Sequence, residues 1–302
     1  MICRTGNTIV VCYDDDPVQA GNAEFMPCLQ KSPEVLLPMN VPQPNPHVHV
    51  ELCTGGIEDV QLAAEMQVDR IELNCGTAVG GLTPPAGLVA AARRVFSGPV
   101  IAMVRPREAG FAYSKAEFTQ MLDDCEFLLA SGVNGIAIGC LMPDGHIDID
   151  RCTQLRRLFP ATTLVCHKAF DVTPDLHLAS QQLIDCGFNR ILTSGGCAAA
   201  IDGCRTIQSL LDAYGRQIEY VVGGGVRAHN LELIVRESGC DQIHTAVRRV
   251  VVDPSTNGND VLDFGNINID GVSGYGAADE LQLRALMAVA SKIFGHGCVT
   301  ET

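Results

Sequence analysis

The stretch VELCTG, residues 50–55, returns twenty-one positions later in altered form as IELNCG, residues 71–76. Each is an apolar, β-rich run that carries a glutamate at its second position, Glu51 in the first and Glu72 in the second. An ionised carboxylate is among the costliest groups to bury. Two of them at matching places therefore point to the end of a strand, where side chains meet solvent or a ligand, and not to its middle.

Working outward from this pair, short β-rich runs recur at 48–53, 70–74, 100–107, 135–141, 163–171, 190–196, 220–226 and 242–247. Stretches with helical spacing follow them at 57–68, 85–96, 114–132, 149–159, 173–187, 199–215, 228–239 and 278–294. Gly132, Gly187, Gly215 and Gly239 close several of these where a left-handed cap is needed. Strands alternating with helices of this length imply right-handed βαβ units and a parallel sheet. Eight units close most naturally as an α/β fold of the single (β/α)8 TIM-barrel type. A doubly wound open sheet is the competing arrangement, but the glycine fingerprint expected after its first strand is missing. Residues 1–46, punctuated by seven prolines, read as an irregular N-terminal extension, 47–296 as the barrel and 297–302 as a tail. Residues 248–277, rich in glycine and asparagine, read as a long loop serving as a lid or an oligomer contact.

Composition narrows the function. The chain of 302 residues carries 21 Lys+Arg against 35 Asp+Glu, a net charge of −14, which disfavours nucleic acid and anionic membrane surfaces as partners. No apolar run approaches a membrane span, and the opening segment lacks the apolar core of a signal peptide, so the expected location is cytoplasmic, with the nucleus left open. The fourteen cysteines are scattered, without a C-x-x-C pair, and read as reduced thiols, most of them plain core residues.

In a barrel the chemistry sits at the C-terminal mouth. Alternation puts His49, Glu51 and Cys53 on one face of their strand and Arg70, Glu72 and Asn74 on one face of the next. Arg105 and Arg107, two apart, point the same way and form an anion clamp; His167 serves as a proton-transfer group oriented by Asp171. Lys168 points the other way from His167 along the strand. Lys168, Ser194, Gly224, Gly225 and His244 are candidate substrate contacts, the glycines because their backbone amides can approach a phosphate closely. Each has a structural alternative. The arginines could simply neutralise the glutamates, and the glycines could serve only a tight turn.

Through the motifs DRIELNCGTAVGGLTP (69–84), RPREAGFAY (105–113), DGHIDID (144–150), CHKAFD (166–171), RILTSGG (190–196), GGGVRAHN (223–230) and QIHTA (242–246), in that order, the chain from about residue 47 to 294 resembles the CutC family of copper homeostasis proteins. The resemblance implies a TIM barrel, a homo-oligomer (dimer or tetramer) and Cu(I) bound through cysteines at the ends of the first two strands. Carried over, the first ligand falls on Cys53 and the second on Asn74; Cys75 is next door but on the opposite face. Cys140 and Cys166 are further thiols near the mouth. Two more departures stand out: the family's usual His-Arg is His167-Lys168, and its Gly-Asp-Phe is Ala109-Gly110-Phe111. Two functions follow as expectations. One is intracellular copper binding and tolerance with Cys53 as ligand. The other is a barrel enzyme on a small anionic metabolite, with Glu51 and Glu72 as an acid/base pair or metal ligands.

Overall fold

The computed structural model describes residues 2–5, 8–11, 47–256, 267–269 and 272–294. Near the N-terminus, β1 (Ile2–Thr5) pairs antiparallel with β2 (Thr8–Val11). The rest of the extension, 12–46, and the tail, 297–302, lie outside the described residues. Among the described residues no helix is long and apolar enough to cross a membrane.

Eight parallel strands close into a barrel: β3 (His49–Thr54), β4 (Arg70–Leu73), β5 (Val100–Met103), β6 (Gly135–Ile138), β7 (Thr163–Cys166), β8 (Arg190–Thr193), β9 (Glu219–Gly223) and β10 (Gln242–Thr245), with β10 pairing back onto β3. Helices α1 (Ile57–Glu65), α2 (Ala86–Val95), α3 (Lys115–Ala130), α4 (Ile149–Leu158), α5 (Leu176–Asp185), α6 (Cys204–Tyr214), α7 (Leu231–Ser238) and α8 (Glu280–Ile293) follow them in turn. Local chemistry sets their ends. Ser114 and Glu117 form a reciprocal capping box at α3, and Asp148, Asp175 and Asp279 accept amide hydrogens at the starts of α4, α5 and α8. Gly132, Gly187 and Gly239 have positive φ after their helices, but Gly215, at φ −60°, continues right-handed. The expected left-handed cap is absent there.

The stretch 248–277 is not a bare loop. Its described parts form a three-stranded antiparallel sheet in which β13 (Val272–Ala278) lies between β11 (Arg248–Val252) and β12 (Ile267–Ile269). Glycine and asparagine disguised this because strand propensity reflects packing context more than composition. Asp59, near the start of α1, ties the sheet to the barrel: Oδ2 accepts from Gly55 N at 2.8 Å and Arg248 Nη1 at 2.6 Å, and Oδ1 from Ala278 N at 2.7 Å.

The main core lies between strands and helices, whereas Ile101, Met103, Ala137 and Val165, from β5, β6 and β7, form a separate apolar cluster. The adjoining strands β3, β4 and β10 instead bring Glu51, Arg70, Glu72 and His244 together. Register makes them neighbours, because Glu51 is paired with Arg70 on one side and His244 on the other, while Cys53 is paired with Glu72.

Candidate functional site

The charges are satisfied as a chain running along the barrel from the exposed Glu219 to the buried Glu51. Arg190 donates to Glu219 at 2.8 Å, Gln242 Nε2 to Glu219 at 3.2 Å, Arg70 Nη2 to Gln242 Oε1 at 3.1 Å, and Arg70 Nε to Glu51 Oε2 at 2.5 Å. Glu51 Oε1 then meets His244 Nδ1 at 2.7 Å. Burial pushes the Glu51 carboxyl up, but the Arg70 charge and the His244 hydrogen bond outweigh it and hold it well below its ordinary value. So Glu51 is an ionised brace one step beneath the mouth.

Above it, Cys53 Sγ, a Glu72 carboxylate oxygen and a His244 ring nitrogen all lie within 4.8 Å of one another. Burial raises the Glu72 pKa against the pull of His244. For His244 burial acts downward, and the Glu72 charge with the bonds it donates to Cys53 and Glu51 overcomes it, leaving the imidazole well above its usual range. These three line a cavity of about 540 Å³ together with Asn74, Arg105 and His167.

His167 is 2% exposed, and burial, helped by the nearby Arg105 charge, drops its pKa to about 3. It is therefore neutral, and its Nδ1 accepts from Ala169 N at 3.2 Å. Gly139 makes room for the ring, since a Cβ there would sit 2.8 Å from His167 Cε1. Arg105 Nη1 donates to Val79 O and Gly81 O, and Nη2 to Ala109 O, so one guanidinium pins two loops over the cavity. Phe111 lies between them, 5.1 Å from the His167 ring and 5.3 Å from the Arg105 guanidinium carbon.

Several expected roles are displaced. Arg107 does not face the cavity: its Nε reaches Glu117 at 2.5 Å and its Nη atoms cap carbonyls of the local loop. Strand alternation failed there because β5 stops at Met103. Asp171 does not orient His167; it accepts from Thr193 Oγ1 and from the Ser194 and Gly196 amides, and pairs with Lys168 at 2.7 Å. For the same reason Lys168 shares the cavity with His167 instead of turning away, as β7 ends at Cys166. Ser194 is fully buried, bonded to Lys168 and the Cys197 carbonyl, and Gly224 and Gly225 line an adjoining cavity of about 230 Å³ with Lys168, Arg227 and His244. Cys75 donates to Thr83 O and lines a different cavity, and Cys140 and Cys166 are buried in the outer core, where burial raises both thiols, Cys140 to about 12. No second thiol joins Cys53 among the described residues lining its cavity.

The CutC family model matches residues 48–249. The chain belongs to the CutC family. Relatives include the family protein CutC of Treponema denticola, 38% identical over 72% of this chain and 89% of that one. The copper homeostasis protein cutC homolog of Homo sapiens is 34% identical over 66% and 73%. A CutC crystal structure from Streptococcus agalactiae superposes with a TM-score of 0.63 at 32% identity, covering 65% of this chain and 97% of that one. Within this CutC chain, Asn74 stands where the resemblance implies the second thiol, and its Nδ2 donates to Cys53 Sγ and to Glu72 Oε2, each at 3.3 Å. Sequence reading missed Arg248, whose Nη2 donates to the Cys53 carbonyl at 2.9 Å. Its only signal was a basic pair directly after the last barrel strand.

Proposed function

We propose that this protein acts in copper homeostasis by holding a copper ion at the barrel mouth through Cys53 Sγ and His244 Nε2, with the Glu72 carboxylate beside them. The observation that carries this reading is the convergence of Cys53 Sγ, a Glu72 carboxylate oxygen and a His244 ring nitrogen within 4.8 Å of one another. Thiolate and imidazole are the donors copper favours. Because Glu51 takes His244 Nδ1 at 2.7 Å, the other ring nitrogen is the one left to ligate, the carboxylate–histidine pairing that orients ligands at metal sites. The copper is cargo, bound and handed on, and nothing in this reading requires it to turn over a substrate. The reading extends to a cytoplasmic homo-oligomer, dimer or tetramer, which analytical ultracentrifugation would check.

The test is an anaerobic Cu(I) competition titration under reducing conditions on wild type, Cys53→Ser and His244→Phe. Stoichiometric binding lost in Cys53→Ser and weakened in His244→Phe supports the site. Weak binding equal in all three refutes it.

A further inference from the structure

Among the described residues, the buried side-chain polar atoms without a hydrogen-bond partner are Asn74 Oδ1, Arg105 Nε, Tyr113 Oη and His167 Nε2. Three of these four residues line the same cavity at the barrel mouth. Buried polar groups are nearly always satisfied, so a cluster of orphans on one wall marks groups that a bound molecule completes.

The polarity of each orphan is set by its neighbours. Asn74 Nδ2 faces the acceptors Cys53 Sγ and Glu72 Oε2, which leaves Oδ1, an acceptor, turned away from them. His167 Nδ1 accepts the Ala169 amide, so its Nε2 carries the hydrogen and is a donor. Arg105 uses its terminal nitrogens on the carbonyls of Val79, Gly81 and Ala109, and its Nε–H remains. Two donors and one acceptor thus await a partner. Charge adds a constraint: Arg105 is 5% exposed and, among the described residues, pairs with no carboxylate, so its positive charge asks for an anion.

We propose that this wall binds a small 2-hydroxycarboxylate, whose carboxylate accepts from Arg105 Nε and His167 Nε2 and whose hydroxyl donates to Asn74 Oδ1. A carboxylate meets the two donors and the uncompensated charge, and a hydroxyl supplies the donor that Asn74 lacks. A hydroxyl fits better than an ammonium, because Lys168, Arg248 and Arg249 also line the cavity. The left-handed Gly80 and Gly81 let the covering loop pass close by: a Cβ on Gly81 would lie 3.3 Å from Asn74 Cγ. The site shares its cavity with Cys53 and His244, and Asn74 touches Cys53 and Glu72, but it uses none of the copper ligand atoms, so its test is run with copper removed.

The test uses glycolate and L-malate as probes, with inorganic phosphate as the competing anion, on the full chain with a copper chelator present. Calorimetry is expected to show saturable binding of at least one hydroxycarboxylate, and 1H–15N correlation spectra to show the His167 Nε2 signal moving with the same isotherm. His167→Phe is expected to weaken binding by about tenfold or more, and His167→Gln, which restores an N–H, to recover most of it. No saturable binding of either acid up to ~20 mM, beyond the millimolar range of a weak specific site, overturns the proposal. So does a His167 ring signal that stays put while acid binds, or one that responds only to phosphate.

Discussion

Asn74 Nδ2 lies 3.3 Å from Cys53 Sγ, so the amide stands within hydrogen-bond reach of the thiol where a second sulfur is implied by the family resemblance. Asn74→Cys would place two thiols side by side on adjacent strands. The expected outcome is Cu(I) affinity raised about tenfold or more, because soft thiolates dominate Cu(I) binding. A competition titration of the variant against wild type checks it; equal affinities would mean that position 74 is remote from the metal.

Glu51 is 4% exposed and serves two partners, Arg70 and His244. Glu51→Gln leaves Arg70 buried without its counter-charge, at a cost of about 3–5 kcal/mol. It also weakens copper binding by about 10–100-fold through the misoriented imidazole. Because the folded-state pKa lies below the ordinary 4.5, the stabilisation is present above about pH 4.5 and lost as pH falls through the folded value. Urea denaturation across pH would show wild type and variant converging in acid.

At the proposed copper site the ion must displace a proton from His244, whose pKa is raised well above 6.5 against burial by the Glu72 charge and by the bonds it donates to Cys53 and Glu51. Below that raised value the imidazole is protonated and cannot ligate. Affinity is therefore expected to climb with pH, by up to about tenfold per unit for each proton released, until His244 is neutral. The same titration at several pH values, with proton release followed by calorimetry in two buffers, measures it. A flat profile would remove His244 from the ligand set.

Ala109 has φ 69°, a left-handed conformation that costs a residue with a Cβ about 1–2 kcal/mol. The family's usual residue there is glycine, as the resemblance implies. Ala109→Gly is expected to stabilise the chain by about 0.5–1 kcal/mol after glycine's greater unfolded-state entropy is subtracted. The Ala109 carbonyl that Arg105 grips at 2.8 Å is backbone and survives the change. Thermal unfolding would register it as a small rise in Tm; a fall would mean that the Ala109 methyl makes contacts worth more than the strain.

The barrel was legible because burial imposes a period. Strands buried on both faces read as short apolar runs, helices as wider ones with polar flanks, and eight alternations leave few ways to close a sheet. Glu72 and Cys53 were legible for the same reason, as polar exceptions that line the mouth, whereas Glu51, expected at a strand end, sits mid-strand beneath it because Arg70 and His244 neutralise its charge there. Alternation lost its hold one or two residues past each strand. Arg107, Lys168 and Asp171 lie beyond the last ladder-bonded residue, where the chain turns freely, and their directions followed hydrogen bonds to Glu117, Ser194 and Thr193 that spacing does not encode.

The sequence by itself determined the fold class, the order of strands and helices, and which strand positions carry polar groups, since these depend on local periodicity and on how much apolar surface each segment must hide. Only the tertiary structure decided that His244 joins Cys53 and Glu72, that Asp59 holds Arg248 against the barrel, and that Arg105 and His167 keep unpartnered hydrogens in one cavity. Those relationships join residues far apart along the chain, 189 positions for Asp59 and Arg248. They come from barrel closure and strand register, long-range constraints that leave no trace in any local window.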